Sequence, residues 1–212
     1  MSLINDLLKL IIPERTTRSI ARRGTKVARS TLAHASYEAD KQAFNENALQ
    51  QGNRTTSAVF DILPSTLEEL LASPYNNLMT PMNTASLYVV ALNAFSKDRE
   101  QSLAMINYLR GPLPLNEEEV AFIDERMALY NEEGYLTRSY LLGAIPYNGY
   151  MPQQPFTINV TDNFYTYYDN DYATVYVYCS SENSSRPVYL RKLGELWYLS
   201  TLSLLDEVVS PA

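Results

Sequence analysis

The chain has 212 residues, 46% of them hydrophobic and 19% charged, which is enough apolar material for a packed core and argues against a disordered polypeptide. Its net charge of −7 hides an asymmetry, because residues 1–30 hold seven Lys/Arg against Asp6 and Glu14 while the remainder holds ten basic and twenty-two acidic residues. So acidic a body argues against a phosphate-binding groove in it, and nucleic acid is disfavoured as a partner except through the basic end.

In chain order, residues 2–12 place Leu3, Ile4, Leu7, Leu8, Leu10 and Ile11 on one side of a helix and Asn5, Asp6 and Lys9 on the other. So short a helix is marginal in water, so its apolar face must dock on the body, on a second copy or on a membrane surface. Pro13 marks a kink or the first turn of the next helix, which carries Arg15, Arg18, Arg22, Lys26 and Arg29. At helical geometry these cations fall within about 80° of one another, in a row roughly 21 Å long. A row of cations wants anions opposite it: carboxylates of this protein or of a neighbouring copy, lipid headgroups, or phosphates. The opposite face is small (Ile20, Val27, Ala28, Thr31, Ala35), which permits close helix packing, and the helix can run to about residue 47. The start has no charged leader and no small-residue cleavage site, so it does not read as a signal peptide, and no run approaches the roughly 18 apolar residues of a spanning helix. The expected compartment is the cytoplasm, with membrane association through residues 1–30 as the alternative. Gln50–Thr56 reads as a loop between a helical arm, 1–50, and a globular domain, 60–206.

Within the domain, helices are expected over 64–142. Ser65 precedes Glu68, and Thr66 precedes Glu69, at capping-box spacing, opening a short helix through Leu71. Thr80-Pro81 opens a long apolar helix, Met82 to Phe95, that reads as the core spine. Asp98 caps a third helix stopped by Gly111-Pro112, and Asn116 caps a fourth whose first turn is Glu117, Glu118 and Glu119, the sign favoured beside the positive end of a helix dipole. After Gly143, prolines 146, 152 and 155 lay down an irregular connector. Strands then occupy 156–202: Phe156, Ile158 and Val160 alternate with polar residues, as do Val175, Val177 and Cys179, and Pro187–Leu193 with Leu196–Leu202 form a hairpin about Gly194-Glu195. The expected class is α+β: an N-terminal helical arm, a helical layer, then a C-terminal four-stranded antiparallel meander.

Chemistry-bearing patterns are sparse. Three consecutive helical glutamates point 100° apart and cannot converge on one ion, so Glu117–Glu119 read as a cap rather than a metal site. The one histidine, His34, has no companions for a triad or a zinc site, and no glycine-rich phosphate loop is present, so no cofactor or metal is expected. The one cysteine, Cys179, reads as a buried inert thiol. Asp169 and Asp171 lack the glycine and later glutamate of a calcium loop. Tyr165, Tyr167 and Tyr168 form either a candidate aromatic contact surface or a turn whose rings cover the edge of the sheet.

The strings Thr66-Leu-Glu-Glu-Leu, Thr80-Pro-Met, Asn107-Tyr-Leu-Arg-Gly-Pro-Leu-Pro-Leu, Arg138-Ser-Tyr, Tyr147-Asn-Gly-Tyr-Met-Pro and the closing Leu-Arg-Lys-x-Gly-x-x-Trp hairpin, ending at Trp197, together resemble an uncharacterised bacterial domain family over about residues 60–205. The resemblance implies a bacterial origin and one α+β module, and it carries no activity and no site residues. The expected function is therefore a non-catalytic interaction or assembly module that self-associates as a homo-oligomer, or docks on another protein, through its N-terminal helices. The alternatives are a peripheral protein binding anionic membrane through residues 1–30, and an enzyme using acidic and tyrosine residues of the C-terminal half.

Overall fold

A computed structural model describes residues 53–167 and 169–208, which belong to one unit, Gln51–Ala212. The basic stripe Arg15, Arg18, Arg22, Lys26 and Arg29, the apolar face Leu3, Leu7, Leu8, Leu10 and Ile11, and Tyr168 lie outside the described residues. The class is α+β. Strand β1 (Arg54–Phe60) comes first, then helices α1 (Leu67–Leu71), α2 (Pro81–Ala94), α3 (Arg99–Arg110), α4 (Glu117–Tyr130) and α5 (Tyr135–Arg138), then β2 (Phe156–Asp162), β3 (Tyr172–Cys179), β4 (Ser184–Leu193) and β5 (Leu196–Leu199). The strands make one antiparallel sheet in the order β1-β2-β3-β4-β5.

The sheet therefore has five strands where four were expected, and one of them precedes the helices. The segment expected as a loop, Gln50–Thr56, runs into β1 at Arg54. Only Ala58 and Phe60 of that strand are buried, and hydroxyl side chains fill the positions before them, so its alternation is too faint to read as a strand. What makes it one is its partner: β2 pairs with it over an unbroken register from Arg54↔Asp162 to Phe60↔Phe156. Asp162 is buried and takes a two-pronged contact from the Arg54 guanidinium, Nη2 to Oδ2 at 2.6 Å and Nε to Oδ2 at 3.2 Å, together with the Arg54 backbone N–H at 3.1 Å.

The helix starts follow their sequence signals. Thr66, Thr80, Asp98 and Asn116 each accept a backbone N–H of the first turn, and at α4 the Glu119 side chain returns a bond to the Asn116 N–H at 3.0 Å, completing a capping box. Helix α2 is apolar on all sides, and eleven of its fourteen residues are buried, the pattern of a helix enclosed by other elements. It lies against β1, β2, β3 and β5 on one side and α3 and α5 on the other. Ile158, Val160, Val175 and Val177 of β2 and β3 are fully buried in the same core, as are Val188 and Leu190 of β4. The far face of the sheet carries Thr55, Ser57, Thr161 and Asn159, tied pairwise by side-chain hydrogen bonds, along with Tyr176, Tyr178 and Tyr189. Cys179 is buried, as expected of a small residue on the inner face of β3.

Candidate functional site

Where α2 ends, the chain must turn from the helical layer toward α3, and the short segment after α4 closes against that turn. Asn131 fixes the closure: its Nδ2 donates to Ser96 Oγ at 3.1 Å, and its Oδ1 accepts the Thr137 N–H at 3.0 Å. Asn93, the last residue but one of α2, donates to the carbonyls of Val89 and Thr137, both at 2.9 Å. The junction leaves a cleft of about 400 Å³ with two kinds of wall. Ile62, Pro64, Leu141, Pro152 and Phe156 make the apolar one, and Asn93, Ser96, Lys97, Thr137 and Arg138 the polar one. A second depression, lined in part by Arg99, Asp124 and Asn131, adjoins it and shares Ser96, Glu133 and Gly134.

The charges here are mostly fastened. Arg138 donates Nε to Gly134 O at 3.3 Å and Nη2 to Glu133 O at 2.5 Å, so its guanidinium caps the carbonyls of the turn, where Glu133 sits at φ 49° and Gly134 at φ 80°. Arg99 holds Asp124 with Nε at 2.6 Å and Nη2 at 2.7 Å, and the paired guanidinium keeps the Asp124 carboxyl below the usual carboxylate range. Beside the mouth, Ser65 donates both its backbone N–H, at 2.7 Å, and its hydroxyl, at 3.0 Å, to Glu69 Oε2. Those bonds, the backbone one first, lower the Glu69 pKa, which makes that carboxylate a weaker base than an ordinary one. The hydroxyls of Ser65 and Thr137 are thus engaged in structure, and the Glu69 carboxylate beside Ser65 is tuned away from acting as a base.

A short loop leads into Pro152. Asn148 builds it with four bonds: Oδ1 accepts the N–H of Ile145 and of Met151, both at 3.1 Å, and Nδ2 donates to the carbonyls of Gly143 and Met151, both at 2.9 Å. Gly149 at φ 64° turns the chain, and Tyr150 is buried below. That scaffold leaves Tyr147 88% and Met151 70% exposed, and Ile62 in the cleft's apolar wall is 82% exposed. Sequence reading treated 146–152 as an irregular connector. The Asn148-Gly149 dipeptide, a turn signal with a side chain able to bond its own loop, is the mark that could have singled it out.

The two described tyrosines of the aromatic loop have different neighbours. Tyr165 stacks edge-on against Phe164 at 4.8 Å and is 59% exposed, whereas Tyr167 packs on Trp197 at 6.0 Å, its hydroxyl 3.8 Å from Met82 Sδ. Burial there pushes the Tyr167 phenol pKa up. Asp169 and Asp171 shape the turn, with Asp169 Oδ1 accepting the Asp171 N–H at 3.0 Å, and among the described residues no three His, Cys, Asp or Glu side chains converge as metal ligands. No helix among them is long and apolar enough to cross a membrane. Neither a curated protein nor a solved structure matches the chain. A sequence-family model described as a domain of unknown function (DUF6935) matches residues 62–212, which is most of the chain and all of its elements after β1, and the protein belongs to that family.

Proposed function

We propose that this chain is a non-catalytic interaction module, with residues 1–50 as its attachment element and the cleft beside Glu133 as the surface on the body that receives a partner's apolar segment. The observation that carries this reading is the loop 143–152: a scaffold held by four side-chain bonds presents Tyr147 and Met151 to water and runs into Pro152 of the cleft, whose lining also includes the exposed Ile62. Large apolar side chains displayed on rigid backbone lose little entropy on binding and mark contact surfaces. The polar wall supports binding over chemistry, since Arg138 and Thr137 are bonded to main-chain carbonyls and Ser96 accepts from the Asn131 amide.

Residues 1–30 bring a short apolar helix that needs a surface and a cationic row that needs anions, which suits assembly into a homo-oligomer or docking on another protein. Light scattering on the full chain and on a chain lacking residues 1–30 tests the attachment element: the full chain is expected to be oligomeric, and equal masses would refute it. Flotation with anionic liposomes at low salt separates this from peripheral membrane attachment, the alternative that the same residues suggest. For the cleft, Tyr147→Ser with Met151→Ser is expected to reduce retention of partner proteins while leaving the melting temperature unchanged; retention equal to wild type would remove the cleft from the proposal.

A further inference from the structure

Strand β1 forms an edge of the sheet, and two contacts fix which of its residues face outward. The Val59 N–H donates to the Tyr75 hydroxyl at 2.9 Å, and opposite it the Thr157 carbonyl accepts from the Leu142 N–H at 2.9 Å. Val59 and Thr157 are therefore a non-hydrogen-bonded pair of the ladder, and by the two-residue period Thr55 and Ser57 also turn their N–H and C=O groups away from β2. Their hydroxyls agree, reaching Thr161 at 3.0 Å and Asn159 at 2.7 Å, because side chains stand closer in such pairs. Among the described residues nothing bonds the outward main chain of Thr55 or Ser57.

The opposite edge is finished differently. In β5 the Trp197 N–H donates to Leu78 O, and the Trp197 carbonyl accepts from the Thr84 hydroxyl, both at 2.8 Å. Among the described residues one edge is closed by the protein's own groups and the other is not. β1 also lacks the features that keep edges apart: it has no proline and no bulge, and its one charge, Arg54, is paired with Asp162.

We infer that β1 is a self-pairing seam, in which the β1 strands of two copies join antiparallel about a two-fold axis at Thr56. In that register Thr55 of each copy exchanges main-chain bonds with Ser57 of the other, and the Tyr75 hydroxyl stays on Val59. A two-fold at Ser57 would instead require the Val59 groups that Tyr75 already holds. Thr56 faces its own counterpart in a non-hydrogen-bonded pair, Arg54 falls opposite Ala58, and no like charges meet. The partner is thus a second copy of this chain, and the seam uses neither the cleft nor residues 1–50.

The test uses the full chain with Thr56→Lys, Thr56→Glu and an equal mixture of the two. Thr56 is exposed, so both variants should melt with the wild type. Each alone sets like charges about 5 Å apart across the axis and should lose the dimer, whereas the mixture should recover a heterodimer, read by capture of the untagged variant on the tagged one. Mild oxidation of Thr56→Cys should give a linked dimer and Val59→Cys should not, a readout that survives a fold-weakening charge change. A monomeric wild-type chain, or a mixture that pairs no better than either variant alone, overturns the seam. In the second case an oligomer that persists, and dissolves when residues 1–30 are deleted, leaves the attachment role of the N-terminal segment standing.

Discussion

Single side chains hold the carboxyl-terminal tail to the sheet, and Arg186 carries most of that task. Its Nη1 donates to the Tyr140 hydroxyl at 3.0 Å and to Asp206 O at 2.9 Å, while its Nη2 donates to Glu207 O at 2.6 Å and to the Glu182 carboxylate. Tyr140 in turn donates to Leu204 O at 3.0 Å, and burial pushes its phenol pKa far up, so it stays a neutral donor. Burial by itself would lower the Arg186 pKa, but the groups around it, the Glu182 carboxylate among them, outweigh burial and the charge is retained. Tyr140→Phe removes one neutral link and should cost about 1 kcal/mol. Arg186→Ala frees the tail and leaves Glu182 without its cation, and should cost about 3 kcal/mol; the urea midpoints of the two variants give the order. Gly111 is a second single-residue constraint: at φ 63°, an added Cβ would lie 2.5 Å from the Tyr198 ring. Gly111→Ala should therefore destabilise by about 2 kcal/mol or more in the same measurement. In sequence Gly111 was legible as a helix stop, but Arg186 was not, because its partners include main-chain carbonyls twenty residues away that carry no pattern.

At the scale of elements, the helix starts were legible because a cap is a local event, complete within four residues. The double use of one cap was not. Glu119 closes the capping box of α4 and also pairs with Arg110, at the end of α3, at 2.9 Å. Arg110 is almost fully buried, and among the described residues its Nη1 has no partner and Glu119 is the one carboxylate paired with this enclosed cation. Glu119→Gln keeps an oxygen for the Asn116 N–H and removes the charge. If the ion pair dominates, this variant should lose about 3 kcal/mol, far more than the roughly 1 kcal/mol expected of Asn116→Ala, which removes only the cap. Comparable losses would mean that the cap matters more. The same two helices are joined a second time by Arg99, at the start of α3, and Asp124, midway along α4. The folded-state pKa of Asp124 lies below its unfolded value, so the pair contributes fully above the unfolded pKa and is lost as pH falls through the folded one. Asp124→Asn should accordingly narrow the gap in melting temperature to the wild type as the pH is lowered into the acid range, and a constant gap would show that the pair adds no pH-dependent stability. β1 was illegible for the opposite reason to the caps: its existence depends on a partner strand a hundred residues away, with only two buried side chains of its own to announce it.

For the whole molecule, charge distribution separates two ways of joining copies. Residues 1–30 are strongly positive, and the rest of the chain, with twenty-two acidic against ten basic residues, is strongly negative. Attachment of the basic row to acidic surface draws opposite charges together, so salt should weaken it. Pairing through β1 brings two acidic bodies side by side and rests on main-chain bonds, so salt should screen the repulsion and strengthen it. The sign of the salt dependence therefore reports which contact carries the assembly. With the full chain, the dissociation constant measured by sedimentation between low and moderate salt should rise if the N-terminal segment dominates. In the chain lacking residues 1–30 it should fall, because only the seam remains and each copy is then more negative than before. A truncated chain whose self-association weakens with salt would contradict the seam, and a full chain indifferent to salt would contradict an electrostatic role for Arg15, Arg18, Arg22, Lys26 and Arg29.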